Sequence, residues 1–326
     1  MAPNILWITT DQQRFDTLGS YGNNWVRTPN LDALAARGVQ FSHAYAQSPI
    51  CTPSRGSFLT GRYPRTCRTR QNGADIPKDE VLVTKLLHDA GYTTGLSGKL
   101  HISACHPSTG GHSERRIDDG YDQFFWSHDS AEIWNTNEYH QWVRRKGADG
   151  NSTESPHSPH IRTGPPAEHH QTTWCAEKAI EFIEESARFE QPWLFSVNMF
   201  DPHHPFDPPE EYLKRYLDRL DEIPLPNYTP GELEDKPQWQ SIDHRGAYGG
   251  NAGLPYDEMS SRDHRVVRAA YWAMCDLIDE QVGRILDALE QSGQREETIV
   301  IFMSDHGEML GDHGLYLKGP YFYEPA

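Results

Sequence analysis

The stretch Ile5-Leu6-Trp7-Ile8-Thr9-Thr10-Asp11 begins with a continuous β-prone run and ends at an acidic residue. Similar runs recur along the chain, at Thr93 to Ser97, at Trp193 to Phe200 and at Thr298 to Ser304. Short apolar strands that alternate with helical stretches are typical of parallel strands joined by crossover helices. The sequence therefore predicts an α/β fold with a large mixed, mostly parallel sheet flanked by helices.

Between the strands lie segments with helical periodicity and Gly stops. The predicted helices are Thr28 to Gly38, a short one from Pro53 that Gly61 terminates, Lys78 to Ala90, Thr172 to Ala187 and Ser261 to Gln291. Two regions, 137–170 and 202–257, depart from the pattern and are rich in proline, histidine and charge. Segments of this kind are often long loops that carry function, so we expect excursions, or lids, over a site.

Composition excludes several classes of protein. The 326 residues carry 47 acidic and 30 basic side chains, a net charge of −17, which argues against a nucleic-acid binder. The chain has no run of eighteen apolar residues that could span a membrane, and no secretory signal precedes the first strand. We therefore expect a cytoplasmic protein, or a periplasmic or secreted one if a signal was removed. The five cysteines contain no C-x-x-C pair, which disfavours a structural zinc site.

Polar side chains follow the ends of four predicted strands. In a parallel α/β sheet the carboxyl ends of the strands meet at one edge, where ligands bind. The residues delivered to that edge are Asp11, Gln12, Lys99, His101, His203, Asp305 and His306. Each one alone could simply cap a turn, but their joint arrival indicates a site.

The stretch Cys51-Thr52-Pro53-Ser54-Arg55 is the sharpest local signal. Thr52 is suited to be the N-cap and Pro53 the first residue of a short helix. This geometry would put Cys51 just ahead of a helix N-terminus, where an anion is favoured, and Arg55 near enough to bind the same anion. The alternative is a small buried cysteine beside a turn proline.

The charge distribution around Cys51 supports an anion site. Residues 33–74 contain no aspartate or glutamate but six arginines. They are Arg37, Arg55, Arg62, Arg65, Arg68 and Arg70. In a protein with a net negative charge, such a segment creates a field that attracts a negative ligand. Some of these arginines could instead lie on a solvated loop.

These residues together resemble the sulfatase family of the alkaline-phosphatase-like superfamily. The C-x-P-S-R signature around Cys51 carries the resemblance, and further motifs follow in the family's order. They include Thr28-Pro29-Asn30-Leu31-Asp32, Gly98-Lys99-Leu100-His101, Pro202-His203-His204-Pro205-Phe206, Ser304-Asp305-His306-Gly307-Glu308 and Lys318-Gly319-Pro320. The resemblance covers essentially the whole chain outside the two excursions.

The resemblance implies a modified nucleophile. A maturation enzyme would oxidise Cys51 to formylglycine, an aldehyde whose hydrate attacks the sulfur of a sulfate ester and then releases sulfate. It also implies one divalent metal ion, held by Asp11, Asp305, His306 and Gln12, with the converted Cys51 as a further ligand. Calcium is the expected metal, with manganese or magnesium as alternatives.

The resemblance also implies a role for each remaining residue. Lys99 and Lys318 would hold sulfate oxygens, His101 would be the base and His203 the acid for the leaving group. Arg55 would position the formylglycine, and His204 could exchange roles with His203. Residues 1–326 would form a sulfatase catalytic domain that continues into further strands and a smaller C-terminal domain.

Two alternatives remain open. The first is a phosphonate monoester or phosphodiester hydrolase of the same superfamily, because these enzymes share the signature. The second is a non-catalytic anion-binding protein, in which Cys51 would stay a thiol. For a sulfatase, we expect a small sulfated sugar or an aryl or alkyl sulfate as substrate and the maturation enzyme as partner, with no nucleic acid or membrane. The sequence has no signal for the oligomeric state.

Overall fold

The computed structural model describes residues 2–105, 113–130 and 134–326. Within them, a central sheet of five parallel strands has the order β3-β2-β6-β1-β7, and β4 and β5 form a small antiparallel hairpin. The strands are β1 (Asn4–Thr10), β2 (Thr93–Gly98), β3 (Gln123–Trp126), β4 (Thr153–Glu154), β5 (Arg162–Thr163), β6 (Trp193–Asn198) and β7 (Thr298–Ser304). The predicted α/β class with a mostly parallel sheet is confirmed.

The α-helices pack around this sheet. They are α1 (Pro29–Arg37), α2 (Cys51–Thr60), α3 (Val83–Asp89), α4 (Glu138–Arg145), α5 (Gln171–Ser186), α6 (Glu210–Leu217), α7 (Gln238–His244) and α8 (Ser261–Gln291). None of the helices in the described ranges is both long and apolar enough to cross a membrane.

The longest helix, α8, has the predicted bounds and forms the centre of the core. It begins at a capping box, in which the Ser260 side chain accepts from the Asp263 N–H and the Asp263 carboxylate accepts from the Ser260 N–H. Its apolar face packs against α1, α5 and α6. Buried apolar side chains between Val266 and Leu289 therefore hold the sheet and the outer helices together.

The structure differs from the expected local structure in two places. The helix predicted from Lys78 to Ala90 is shorter and comprises only α3, because residues 77–80 form a turn and Leu82 is still extended. The strand β3 was missed, because it has only four residues and lies next to a loop rich in acidic and glycine residues. The two excursions contain short elements, namely α4 and the β4–β5 hairpin in the first and α6 and α7 in the second.

Candidate active site

Two carboxylates come together because β1 and β7 are neighbours. Thr10 pairs with Ser304 in the parallel register, so the next residue of each strand, Asp11 and Asp305, lies at the same edge of the sheet. The Asp11 N–H donates to the Asp201 carbonyl (3.2 Å) and the Asp305 N–H donates to the Thr10 carbonyl (3.1 Å). Backbone bonds therefore fix both residues where the strands end.

Cys51 is the first residue of α2, not the residue ahead of it as expected. The N-cap is Ile50, whose carbonyl accepts the Ser54 N–H (3.0 Å), and the Thr52 hydroxyl does not cap the helix. The Asn72 side chain accepts the Thr52 N–H (2.9 Å) instead. A cap supplied from a distant loop leaves no local sequence signal, which explains why the helix start was misplaced. Cys51 still lies at the positive end of the helix.

Four buried ligand atoms converge beside Cys51. Asp11, Cys51, Asp305 and His306 each offer one atom, and these atoms lie within 4.8 Å of one another. The His306 Nε2 atom is 3.2 Å from the Cys51 Sγ and 3.6 Å from one oxygen of each carboxylate. This donor set combines two carboxylate oxygens with one imidazole nitrogen, as divalent-cation sites do.

The far oxygens of the two carboxylates are held by cations. Arg55 donates from Nε to Asp305 (2.8 Å) and from one terminal nitrogen to Asp11 (3.3 Å), and Lys99 Nζ is 2.7 Å from the same Asp11 oxygen. Burial would raise the pKa of Asp11, but the positive charges of Lys99, Arg55 and Lys318 outweigh it and hold the pKa well below its usual range. Asp11 is thus kept ionised, and the near oxygen of each carboxylate faces the cluster.

The contacts of Arg55 therefore differ from the expectation that this residue binds a ligand anion. Its third contact is to the Lys99 carbonyl (2.8 Å), so all three guanidinium nitrogens hold protein groups. Two other arginines of the acid-free segment, Arg62 and Arg68, pair with Glu80. In the described contacts, Arg55 thus binds the two carboxylates of the cluster, whereas Arg62 and Arg68 bind an acidic residue outside the acid-free segment.

The tautomer of His306 tests whether a metal fits. Its Nδ1 lies 2.9 Å from the Gly307 carbonyl and donates to it, which leaves the Nε2 lone pair facing the cluster. Burial lowers the pKa of His306, but the negative charges of Asp305 and Cys51 outweigh it and raise that pKa. The surroundings thus stabilise positive charge at this point, and the residues present fit a divalent cation.

Gln12 is engaged differently from these four residues. Its side-chain oxygen accepts from Lys318 and its side-chain nitrogen donates to Glu308. A carbonyl oxygen has a second lone pair, so a role for Gln12 as a metal ligand stays a prediction.

Glu308 was not anticipated from the sequence. It is fully buried and also accepts the N–H groups of Leu310 (2.9 Å) and Leu317 (2.5 Å), which fixes the loop before Lys318.

Lys318 and His203 form a pair that lines the same cavity as Cys51. The Lys318 ammonium donates to His203 Nε2 (2.7 Å), and His203 Nδ1 donates to the His204 carbonyl (2.5 Å). Burial, followed by the positive charges of Lys318 and His204, lowers the pKa of His203 well below its usual value. The His203 ring is therefore neutral in the free protein, and its role as acid stays a prediction.

His101 adopts a left-handed backbone conformation (φ 55°) after β2. The buried carboxylate of Glu114 holds this turn by accepting the N–H groups of His101 (2.9 Å) and Ile102 (3.0 Å). The His101 ring contacts the edge of the His128 ring, with 4.6 Å between their centroids. Glu114 and His128 were missed, because Glu114 lies in a loop and His128 follows the unanticipated strand β3.

A cavity of about 550 Å³ opens above these residues. It is lined by five of the predicted residues, namely Cys51, Lys99, His101, His203 and Lys318. It is also lined by residues that the sequence did not indicate, among them Asn72, His128, Asp129 and Tyr248. The cavity thus exposes the nucleophile candidate, two lysines and four imidazoles, those of His101, His128, His203 and His204, to a bound molecule.

The comparisons with known proteins decide the family. The sulfatase family model matches residues 3–325. The chain belongs to the sulfatase family.

Named relatives of this sulfatase-family chain are longer than it is. It is 32% identical to the uncharacterized sulfatase YidJ of Escherichia coli K12 over 99% of this chain and 60% of that protein. It is 31% identical to an arylsulfatase of Clostridium perfringens, over 98% of this chain and 66% of that protein. Its fold matches the phosphonate monoester hydrolase of Agrobacterium radiobacter with a TM-score of 0.79 and 26% identity, over 98% and 66% of the two chains. The chain therefore spans about 60 to 66% of these relatives.

Cation binding should stabilise this sulfatase-family fold. At a free concentration about 100 times the dissociation constant, a divalent cation is expected to raise the free energy of unfolding by about 2.7 kcal/mol, because only the folded chain assembles the four ligands. Chemical unfolding with and without chelator measures this. Asp305→Asn should lose most of the gain, whereas the exposed Asp89→Asn should keep it. An equal gain in both variants would contradict a site at Asp305.

Proposed function

We propose that this protein hydrolyses a sulfate ester with a formylglycine derived from Cys51, assisted by a divalent metal ion, and releases sulfate and an alcohol. The observation that carries this proposal is the position of Cys51, at the positive end of α2 with its Sγ 3.2 Å from the ligand nitrogen of His306. The sulfatase relatives support the choice of sulfate. The maturation enzyme that would convert Cys51 is the partner we propose.

The chain's own residues would divide the work around the ester. Formylglycine supplies a hydrated aldehyde as nucleophile, and the metal ion supplies positive charge next to it. Lys99 and Lys318 line the cavity together with Cys51 and would neutralise the oxygens of the sulfate group. His101 would accept a proton from the nucleophile. Lys318 would donate a proton to the leaving oxygen, either directly or through His203.

For the metal we propose calcium, with manganese and magnesium as alternatives. Two carboxylate oxygens suit calcium, whereas the imidazole nitrogen of His306 makes manganese a reasonable competitor. Repeating the unfolding measurement with each cation ranks them. The largest gain at equal free concentration identifies the metal that the site prefers.

A second candidate function is hydrolysis of a phosphonate monoester or phosphodiester. The observation in its favour is the fold match to the Agrobacterium radiobacter phosphonate monoester hydrolase. Turnover of 4-nitrophenyl sulfate should be compared with that of 4-nitrophenyl phenylphosphonate on the matured protein. We expect the sulfate ester to have the higher kcat/KM. A preference for the phosphonate of about a hundredfold, some 2.7 kcal/mol in transition-state binding, would overturn the first proposal.

The pH dependence should report the base. Burial, followed by the positive charges of Lys99, His128 and Arg55, lowers the pKa of His101 well below its ordinary value near 6.5. The neutral ring is the base, so kcat/KM should be flat at neutral pH and fall only as the pH drops through that lowered pKa. His101→Ala should reduce kcat/KM by about a hundredfold or more and remove this acid limb, whereas the exposed His43→Ala should retain it. A limb centred above pH 6.5 would contradict the assignment.

A further inference from the structure

A second and larger cavity adjoins the one above Cys51. Its volume is about 920 Å³, and it lies between the β4–β5 hairpin with its connecting loop (residues 154–162) and the loop 251–254. His204 and Pro205 line both cavities. The two spaces are therefore neighbours that share one wall, and both excursions predicted from the sequence contribute to the second one.

The shared wall is close to the reacting groups. The His204 ring stacks on the His203 ring with 4.1 Å between centroids, and it contacts the edge of the Tyr248 ring at 5.6 Å. Tyr248 lines the first cavity, while Asn251, which lines the second, donates from its side chain to the Tyr248 carbonyl (2.9 Å). A group attached to an ester held at Cys51 that passes His204 would thus enter the second cavity.

The lining of the second cavity mixes polar and apolar groups without a dominant charge. Glu154 and Asp263 are acidic, and Arg162 is basic, with its guanidinium bound to Ser152 by two hydrogen bonds of 2.8 Å. The other polar side chains include the imidazoles of His157, His160 and His204. Beside them lie the flat or apolar faces of three prolines, Phe206 and Leu254. Two carboxylates against one guanidinium disfavour a polyanion, and a purely aromatic group would leave the polar groups without partners. A chain of neutral rings that carry hydroxyls satisfies both kinds of surface.

We propose that the second cavity binds the alcohol portion of the substrate and selects an uncharged, hydroxyl-rich oligosaccharide that carries a single sulfate. This inference rests on the proposed function of the first cavity. Half-buried Ser155 lines the second cavity away from the reacting groups, so a larger side chain there would fill the proposed subsite and leave the first cavity open.

The test uses matured protein and four probes. These are 4-nitrophenyl sulfate, monosulfated tetrasaccharides of glucan and galactan, the same tetrasaccharides fully sulfated, and the unsulfated ones. We expect kcat/KM for a monosulfated tetrasaccharide to exceed that for 4-nitrophenyl sulfate and for the fully sulfated chain by about tenfold or more. Ser155→Trp should lower kcat/KM for the tetrasaccharide about tenfold and leave 4-nitrophenyl sulfate within about twofold. The exposed Ser42→Trp is the matched control and should change neither.

Each outcome bears on one proposal. Equal kcat/KM for small and large monosulfates, or a Ser155→Trp effect that is the same on both, overturns the subsite. Preference for the fully sulfated chain overturns its selectivity for neutral rings. If no sulfate ester is turned over, the proposed function fails, and calorimetry with the unsulfated tetrasaccharides tests the cavity alone. Binding that Ser155→Trp abolishes supports the subsite, and absence of binding rejects it.

Discussion

Replacing Cys51 with alanine is expected to lower kcat/KM for 4-nitrophenyl sulfate by at least about a thousandfold. Removal of a covalent nucleophile has an effect of this size or larger, and what remains comes from the cations and binding groups alone. Cys51 lines the cavity and belongs to the four-residue cluster, so under the proposed function its loss would remove the attacking group and one metal ligand together. The measurement is steady-state turnover after co-expression with a formylglycine-generating enzyme.

The matched control is Cys67→Ala. Cys67 is also buried, but its thiol contacts Thr69 and the Pro64 carbonyl and does not line the cavity. This variant should keep its activity within a few-fold. Mass spectrometry of the peptide that contains Cys51 should show an aldehyde in place of the thiol. An unmodified thiol after co-expression supports the third hypothesis, a protein that binds an anion without catalysis.

Replacing Arg55 with methionine is expected to destabilise the fold by about 3 to 5 kcal/mol when chelator is present. The guanidinium is 1% exposed and contacts two carboxylates that are fully buried, and removal of one partner leaves buried negative charge uncompensated. A bound divalent cation neutralises part of that charge, so the loss should be smaller when calcium is added. Chemical unfolding in both conditions measures the difference.

Arg62→Met is the comparison for that experiment. The Arg62 side chain is 48% exposed and pairs with Glu80, so its removal should cost only about 0 to 1 kcal/mol and should not depend on calcium. If Arg55→Met and Arg62→Met lose equal stability, or if calcium does not reduce the loss in Arg55→Met, then Arg55 does not balance the charge of the metal ligands.

The sheet and the main helices could be read from the sequence because their apolar periodicity is long. The bounds of α8 and β7 match the expectation, since each has an uninterrupted pattern and a polar stop. The start of α2 could not be found in the same way, because Asn72 provides its cap from twenty residues away. Short elements such as β3 have too few residues for a period to emerge.

The site residues likewise fall into those that could be predicted from the sequence and those that could not. Asp11, Lys99 and Asp305 follow parallel strands, so their convergence follows from topology alone. Glu114, His128, Glu308 and Tyr248 come from loops whose paths depend on tertiary contacts, and one sequence carries no signal for such paths. The contacts of Arg55 were misjudged for a related reason. The spacing in the sequence shows that Cys51 and Arg55 are one helical turn apart, but it does not show which carboxylates the Arg55 side chain contacts.

The pairing of β1 with β7 also has a consequence for the order of events in folding. The Gln12 N–H donates to the Asp305 carboxylate, and these residues are 293 positions apart in the chain. Closing so long a loop has a large entropic cost that no local contact offsets. A cation shared by Asp11 and Asp305 would act as a reversible cross-link between the neighbouring strands β1 and β7. Ion release and separation of these strands should therefore be coupled, so amide hydrogen exchange in β1 and β7 is expected to quicken together when the ion is removed.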